Sequence, residues 1–485
     1  VPVRRAFENA DKVFAMKLIN AIRMGGLEIL PLVEGGKGVA VSNGVTSGHW
    51  AAGGGVGTFS AVNADSYDSQ GQPIPQDYHG KTRRARHEEL VAYAIEGGVT
   101  QARRAWDISG GKGRIHANIL WEMGGAERVI TGILERTKGI VNGITCGAGM
   151  PYRLAEIAAK FNVHYYPIVS SGRAFSALWK RAYSKVSDLM GGVVYEDPWL
   201  AGGHNGLSNS ENPLKPESPF PRVLALRKVM REFGLGETPI IMAGGVWCLE
   251  EWQDWIDNPE LGPIAFQFGT RPLLTKESPI SEGWKQRLLK LKPGDVFLNK
   301  FSPTGFYSSA VNNDFIQELR ARSDRQVAYT AEPVGEHLVE YGVGARKRVV
   351  YLTAPDYARV KDWEDAGFTE ALRTPDSTLI FVAPEKAEEI HTDQVNCMGC
   401  LSQCRFSNWS QEGPEYDNGK KADPRSFCIQ KTLQNIAHSD ENETDLDHNL
   451  MFAGHNAYRF GSDPFYSNGF IPTVRELVER ILTGK

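Results

Sequence analysis

Short, nearly continuous apolar runs, each followed by a polar or glycine-bearing patch, recur through the first part of the chain. Eight can be marked off, at residues 28–33, 56–61, 115–120, 139–145, 163–169, 192–195, 239–243 and 263–268. They are partly β-branched and lack the strict alternation of half-exposed strands, which is the texture of parallel strands covered on both faces. Helix-like stretches separate most of them, at 153–161, 173–189, 221–233 and 249–256. Eight βα units predict an α/β chain whose main body is a (β/α)8 TIM barrel.

A doubly wound sheet would have the same strand texture. The patches after the runs favour the barrel: Gly35-Gly36-Lys37-Gly38, Cys146-Gly147-Ala148-Gly149, Ser170-Ser171, His204, Gly244-Gly245 and Gly269-Thr270 all follow predicted strands. In a barrel these strand ends converge on one mouth, where barrel enzymes build their sites. Beyond residue 325 the pattern changes. Runs at 348–353, 355–366 and 378–382 read as a small β-α-β piece, followed by a loop-rich cysteine-bearing tail and an amphipathic helix at 472–482 expected to pack back on the barrel. The organisation predicted is a barrel over 1–325, a small β-α-β segment over 326–395 and a four-cysteine tail with its closing helix over 396–485. The smaller C-terminal extension is thus α+β. An acidic stretch at 439–447 reads as a solvated loop.

Composition adds exclusions. The chain has 485 residues, 41% of them hydrophobic, enough for a barrel and a smaller unit. A formal net charge of -4, a pI near 6.3 and no basic stripe give no reason to expect nucleic acid. No run reaches transmembrane length, and the start of the chain, with Arg4, Arg5, Glu8 and Asp11, lacks a secretory apolar core. A cytoplasmic protein with no membrane partner is the expectation.

Gly244-Gly245 and Gly269-Thr270 end the seventh and eighth runs, where barrels commonly hold a phosphate on backbone N–H groups. A glycine there lets the phosphate approach with no Cβ between. One such pair alone reads more readily as a tight turn with no ligand; two in adjacent units read as a cradle. His204 stands among Gly202, Gly203 and Gly206 after the sixth run. Its ordinary pKa near 6.5 suits proton exchange close to neutrality. The competing reading is a histidine satisfying buried backbone, the reading given to His116 and His164 within their strands.

Six cysteines are too sparse for a disulfide scaffold, and four cluster. Cys397-x2-Cys400-x3-Cys404, followed after 23 residues by Cys428, supplies four thiolates for a [4Fe–4S] cluster or a structural zinc. Three close cysteines plus a distant one favour the cluster, since zinc sites more often pair two knuckles. Cys146 and Cys248 read as packing residues.

Taken in order, Val33-Glu34-Gly35-Gly36-Lys37-Gly38-Val39, Ala51-Ala52-Gly53-Gly54-Gly55-Val56-Gly57-Thr58, Ala201-Gly202-Gly203-His204, Ala243-Gly244-Gly245 and Gly269-Thr270-Arg271 resemble the nitronate monooxygenase, or 2-nitropropane dioxygenase-like, family. That family includes flavin-dependent type II enoyl-acyl-carrier-protein reductases and some NADH:quinone reductases. Ser302-Pro303-Thr304-Gly305 and Val311-Asn312-Asn313 resemble its post-barrel segment, so the likeness spans roughly residues 25–320. The resemblance implies an FMN-binding barrel with the FMN phosphate on Gly244, Gly245, Gly269 and Thr270, and with Gly35, Gly36, Lys37 and Gly38 along the isoalloxazine ring. Ser170, Gly202 and Gly203 complete the candidate cofactor set. His204 matches the family's catalytic histidine, which faces the flavin and removes a proton from the carbon next to a nitro group.

Glu34 and Lys37 depart from the Gln and Met common in the family. A cation at Lys37 beside the flavin N1–C2=O edge would stabilise the anionic reduced ring. The quartet's spacing also resembles iron–sulfur flavoproteins whose cluster follows an FMN barrel, with a longer last gap here. Two activities follow. The first is nitronate monooxygenase-like oxidation of alkyl nitronates; the second is NAD(P)H-dependent reduction of an enoyl thioester or quinone, with electrons relayed through FMN and the cluster. The partners expected are a small-molecule substrate, a redox protein such as a ferredoxin, and a second copy in a homodimer. A flavin-binding or zinc-stabilised interaction protein is the non-enzymatic alternative.

Overall fold

The computed structural model describes residues 19–410, 421–438 and 446–484. The charged residues Arg4, Arg5, Glu8 and Asp11, and positions 439–445 of the acidic stretch, lie outside the described residues. Eight parallel strands form a closed barrel: β1 (Leu32–Glu34), β2 (Val56–Ser60), β3 (Arg114–Leu120), β4 (Gly143–Gly147), β5 (His164–Val169), β6 (Val193–Glu196), β7 (Ile240–Ala243) and β8 (Ile264–Phe268). Each pairs with its chain neighbours, and β8 closes on β1 with Phe268 in register with Glu34.

Two strands start later than their apolar runs. In the first, Leu27–Ile29 pairs with Ile22–Met24 as a hairpin, and only Leu32–Glu34 enters the barrel. Pro31 separates the two, because it has no N–H to give a ladder; its carbonyl accepts from Phe266 N at 2.8 Å. In the fourth, Gly139 adopts a left-handed turn (φ 81) and the strand begins at Gly143.

Alternation sorts the strand residues into inside and outside. Val33, Val56, Tyr166, Val194, Ile241 and Ala265 share one buried cluster, joined by Met24 and Ile29 from the hairpin. Each large side chain so buried contributes about 1.5–3 kcal/mol. Outward residues such as Phe59, Ile115, Ile144 and Phe266 pack in a larger cluster that includes the helices.

Those helices are α1 (Gly44–Ala52), α2 (Arg83–Ser109), α3 (Ala126–Arg136), α4 (Leu154–Phe161), α5 (Gly172–Arg181) and α6 (Pro219–Glu232), one after each of the first six strands. On α3, Val129, Ile130, Ile133 and Leu134 make the buried face. A 3-10 turn, Leu249–Trp252, follows β7; another, Arg271–Leu273, follows β8 and leads to α7 (Glu282–Leu288).

Beyond the barrel, the expected strands and helix exist as Arg348–Leu352, Ala354–Asp365 and Thr378–Val382, in a richer arrangement than one β-α-β unit. Arg348–Leu352 pairs antiparallel with Val339–Val343, while Thr378–Val382 sits between Gln326–Ala328 and Glu370–Arg373. The extra strands are half exposed and carry charges such as Glu340 and Glu370, so their apolar signal is weak. Val327, Tyr341, Leu352, Val360, Leu379 and Phe381 give this region its own core.

The last helix, Val474–Thr483, starts with a capping box between Thr473 and Glu476 and packs against α1, as expected. No helix among the described residues is long and apolar enough to cross a membrane.

Candidate active site at the barrel mouth

The C-terminal strand ends surround a cleft of about 1680 Å³, counted out to its mouth. Gly35, Gly36, Lys37 and Gly38 after β1, Gly202, Gly203 and His204 beyond β6, Gly244 and Gly245 after β7, and Gly269 and Thr270 after β8 all line it. Gly244 and Gly245 have φ of 88 and 79, the left-handed region that favours glycine. The backbone N–H groups of Gly244, Gly245, Gly269 and Thr270 donate to no protein acceptor among the described residues. A Cβ at Gly269 would meet nothing within 4 Å. Orphan donors facing open space are what an anion needs.

Ser170 does not line the cleft. Its hydroxyl donates to Gly206 O at 2.8 Å and its carbonyl accepts from Arg222 Nη2 at 2.9 Å, so it braces the loop after His204. Gly202 also has a packing reason: a Cβ there would come within 2.6 Å of Ala453 C and Gly454 N.

His204 sits on a two-residue strand, Gly203–His204, paired antiparallel with Ser308–Val311. Its Nε2 is 2.6 Å from Ser302 Oγ, which is 2.9 Å from Thr304 Oγ1. Thr304 N–H donates to Ser302 Oγ, and Phe306 N–H to Thr304 Oγ1. Nδ1 has no protein partner among the described residues. Phe452 packs edge-on against the ring at 5.3 Å. Burial pulls the His204 pKa down from 6.5 to about 4, so the imidazole is neutral at pH 7. His116, in contrast, lies inside the barrel with its ring 4.4 Å from Tyr166, and burial lowers it to about 3.

Lys37 is tied down. Its Nζ donates to Gly35 O at 2.7 Å and pairs with Glu34 Oε1 at 3.4 Å. Burial raises the Glu34 carboxyl and lowers the Lys37 ammonium, each opposed by attraction to the other. The positive charge proposed for the flavin edge is therefore offset by an adjacent carboxylate.

Sequence reasoning missed three features of the site. The first is its polar floor: Asn118, Thr145, Glu196 and Gln267, of which Glu196 stands two residues beyond the inward-facing Val194. Burial, followed by the neighbouring Asp197, raises Glu196 to about 8, so it carries its proton at pH 7. Strand parity was the available signal. The second is the Ser302–Thr304 pair behind His204. The third is the C-terminal segment containing Met451, Phe452 and Gly454, which crosses the mouth. Gly454 N–H donates to Thr270 Oγ1 at 2.9 Å, and Asn456 Nδ2 to Gly245 O at 2.7 Å. Arg271 turns away from the cleft; it bonds Trp247 O at 2.6 Å and pairs with Asp463 at 3.5 Å, anchoring that segment.

The cysteine loop is fastened to the mouth through the turn after β3. Gly124 N–H donates to Cys400 O at 3.0 Å, Ser402 N–H to Glu122 O at 2.6 Å, and Leu401 bridges Met123. Cys400 lines the cleft. The four cysteines lie near enough for their charges to interact: burial, then Cys428, Cys404 and Cys397, raises Cys400 well above the usual thiol value. Burial also pushes Cys404 up to about 11 and Cys428 up to about 12.

Among the described residues, no group of three or more such side chains is arranged as a ready ligand shell. The sulfurs nonetheless collect donors. Cys397 Sγ accepts from Gly399 N–H at 3.4 Å and Ser407 Oγ–H at 3.1 Å. Gln430 donates to Cys400, Phe406 and Ser407 to Cys404, and Lys431 to Cys428. Cys146 is buried in β4, and burial raises its thiol. Cys248 is half-buried before the 3-10 turn after β7.

No protein-family model matches the chain, and no curated protein matches it in sequence. Solved structures match its fold. The enoyl reductase domain of MlnA, from the macrolactin biosynthesis cluster of Bacillus amyloliquefaciens, superposes with a TM-score of 0.52 at 11% identity, covering 93% of each chain. The likeness is one of fold. FabK from Thermotoga maritima gives 0.48 at 14% identity over 93% of this chain and 91% of its own. Nitroalkane oxidase from Streptomyces ansochromogenes gives 0.42 at 16% identity over 60% of this chain and 78% of its own.

Proposed function

We propose that the chain is an FMN-dependent oxidoreductase that works in the reductive direction on an enoyl thioester or quinone, with a [4Fe–4S] cluster on Cys397, Cys400, Cys404 and Cys428. The observation that carries this reading is shared walls: Cys400 lines the same cleft as His204 and the glycine turns. Bound there, FMN would exchange electrons singly with the cluster and in pairs with the substrate. The orphan N–H groups of Gly244, Gly245, Gly269 and Thr270 fit its phosphate. The N–H and O–H donors on the sulfurs fit thiolates ligating a cluster, since such bonds offset their charge.

In this reading the chain's own groups do the positioning. With Ser302 donating to Nε2, His204 carries its proton on Nδ1 and offers it to the substrate carbonyl as a neutral hydrogen-bond donor. The Phe452 ring and the C-terminal segment keep water from the reacting atoms. A ferredoxin-like carrier or NAD(P)H would supply the electrons.

A second reading, oxidation of alkyl nitronates, is favoured by the same histidine in its other tautomer. With Nε2–H donating to Ser302, the Nδ1 lone pair is free to take a proton from a carbon next to a nitro group.

The test begins with anaerobic purification. One FMN and about four iron atoms with acid-labile sulfide per chain are expected; zinc without iron would overturn the cluster. Rapid bleaching of the flavin by NADPH, NADH or reduced ferredoxin, reversed by an enoyl thioester or quinone, supports reduction. Oxygen uptake driven by a nitronate, with no such bleaching, would replace it with the second reading.

A further inference from the structure

A second cavity, of about 1750 Å³ counted out to its mouth, opens beside the cysteine loop; Cys404 lines it as Cys400 lines the cleft. Its walls come from the loop after His204 (Gly206 to Asn209), the turn Thr304 to Tyr307, and Gln403, Arg405, Lys421 and Arg425. Arg425 is committed, lying 2.9 Å from both Asp423 and Asp376. Arg405 and Lys421 meet no carboxylate within ion-pair distance among the described residues. Of the carboxylates lining the cavity, Asp423 is neutralised by Arg425, and Glu122 accepts from Ser402 Oγ at 3.1 Å. Among the described residues lining the cavity, three cations, Arg405, Lys421 and Arg425, stand against two carboxylates, Glu122 and Asp423.

Arg405 is also held in place without a counter-ion. Its backbone N–H donates to Pro303 O at 3.0 Å, and Gly305, at φ 79, lies so close under the guanidinium that a Cβ would collide with it. A guanidinium with no carboxylate partner among the described residues, on the same cavity wall as a lysine, suits a phosphate, which accepts its paired donors and balances more than one positive charge. The space exceeds a lone phosphate, and Phe306 and Tyr307 add aromatic side chains to the lining, where a base could pack. The Arg405 anchor is the same Ser302–Gly305 turn whose hydroxyls hold His204.

We propose that this cavity binds the phosphate end of a nucleotide-sized organic phosphate through Arg405 and Lys421, the rest of the ligand lying against the loop after His204. Two sources share this chemistry: the adenosine bisphosphate of a coenzyme A thioester and that of a phosphorylated nicotinamide donor. The inference needs neither flavin nor cluster.

Calorimetric titration of the full chain with adenosine 3′,5′-bisphosphate, adenosine 2′,5′-bisphosphate and inorganic phosphate tests it. At least one bisphosphate should bind, more weakly as salt rises, and Arg405→Gln should weaken it about tenfold or more. Lys421→Gln, at an exposed position where folding is not at stake, should weaken it several-fold. The tighter isomer identifies the source: 3′,5′ for the thioester, 2′,5′ for the reductant. Absence of binding at millimolar nucleotide, equal binding of inorganic phosphate, or unchanged affinity in the Lys421→Gln protein would overturn the proposal.

Discussion

His204 offers a quantitative test, because a neutral imidazole at pH 7 is required by either reading of the cleft. Its pKa is drawn down by burial from 6.5 to about 4, which corresponds to roughly 3 kcal/mol of preference for the neutral form. The sign follows from proton counts. Between pH 6.5 and pH 4 the unfolded chain binds a proton at His204 that the folded chain refuses. The stabilisation is therefore complete above the unfolded value and is lost as pH falls toward the folded one. In His204→Gln the group no longer titrates, while an amide N–H can still reach Ser302. The difference in unfolding free energy between wild type and variant should accordingly shift by roughly 2–3 kcal/mol between about pH 7.5 and pH 4.5, wild type losing more.

Urea unfolding of both proteins at closely spaced pH values measures this. His116, lowered to about 3, and His87 and His455, also lowered by burial, pull in the same direction but cancel in the difference. A difference that stays flat within about 0.5 kcal/mol would mean that His204 protonates as freely folded as unfolded, and the argument for a desolvated ring would fail.

Three further outcomes are expected. Gly269→Ala adds a methyl that meets no atom within 4 Å, so stability should stay within about 0.5 kcal/mol while the FMN dissociation constant, read by flavin fluorescence, rises about tenfold or more; unchanged affinity would place the phosphate elsewhere. Cys400→Ser should strip iron and sulfide while FMN is retained, measured by metal analysis and absorbance; full iron content would exclude Cys400 as a ligand. Glu196, raised to about 8 by burial and Asp197, keeps its proton where the unfolded chain has lost it, so wild type should lose stability as pH rises from 4.5 through 8. Glu196→Gln should then gain on wild type at pH 9 relative to pH 5 by several kcal/mol, at most about 5, and parallel urea curves would refute it.

What could be read from the sequence was local. The strands of the barrel show as apolar runs because both their faces are covered, and Gly244-Gly245 stands out because a left-handed turn leaves few other residues possible. What escaped was contact across the chain. Ser302 meets His204 across 98 positions, and Gly454 meets Thr270 across 184. Neither stretch differs in composition from an ordinary loop. Ser170 shows the converse: a serine at a strand end looks like a ligand-binding residue until its hydroxyl is seen to brace Gly206. Glu196 fell between these cases, since strand parity aims it inward but only the closed barrel makes it a desolvated acid.

The two chemical readings of the cleft separate at a single proton. Ser302 Oγ accepts from Thr304 N–H in either case, and its own hydrogen can point to Thr304 Oγ1 or to His204 Nε2. The first leaves an acceptor at Nδ1, suited to taking a proton from carbon; the second leaves a donor there, suited to a carbonyl. Ser302→Ala removes the choice without touching the cleft lining. Reduction requires the Ser302 hydroxyl to donate to Nε2, so its loss should lower kcat and leave KM little changed, and a variant with wild-type kcat would show that His204 is oriented by its strand and Phe452 alone.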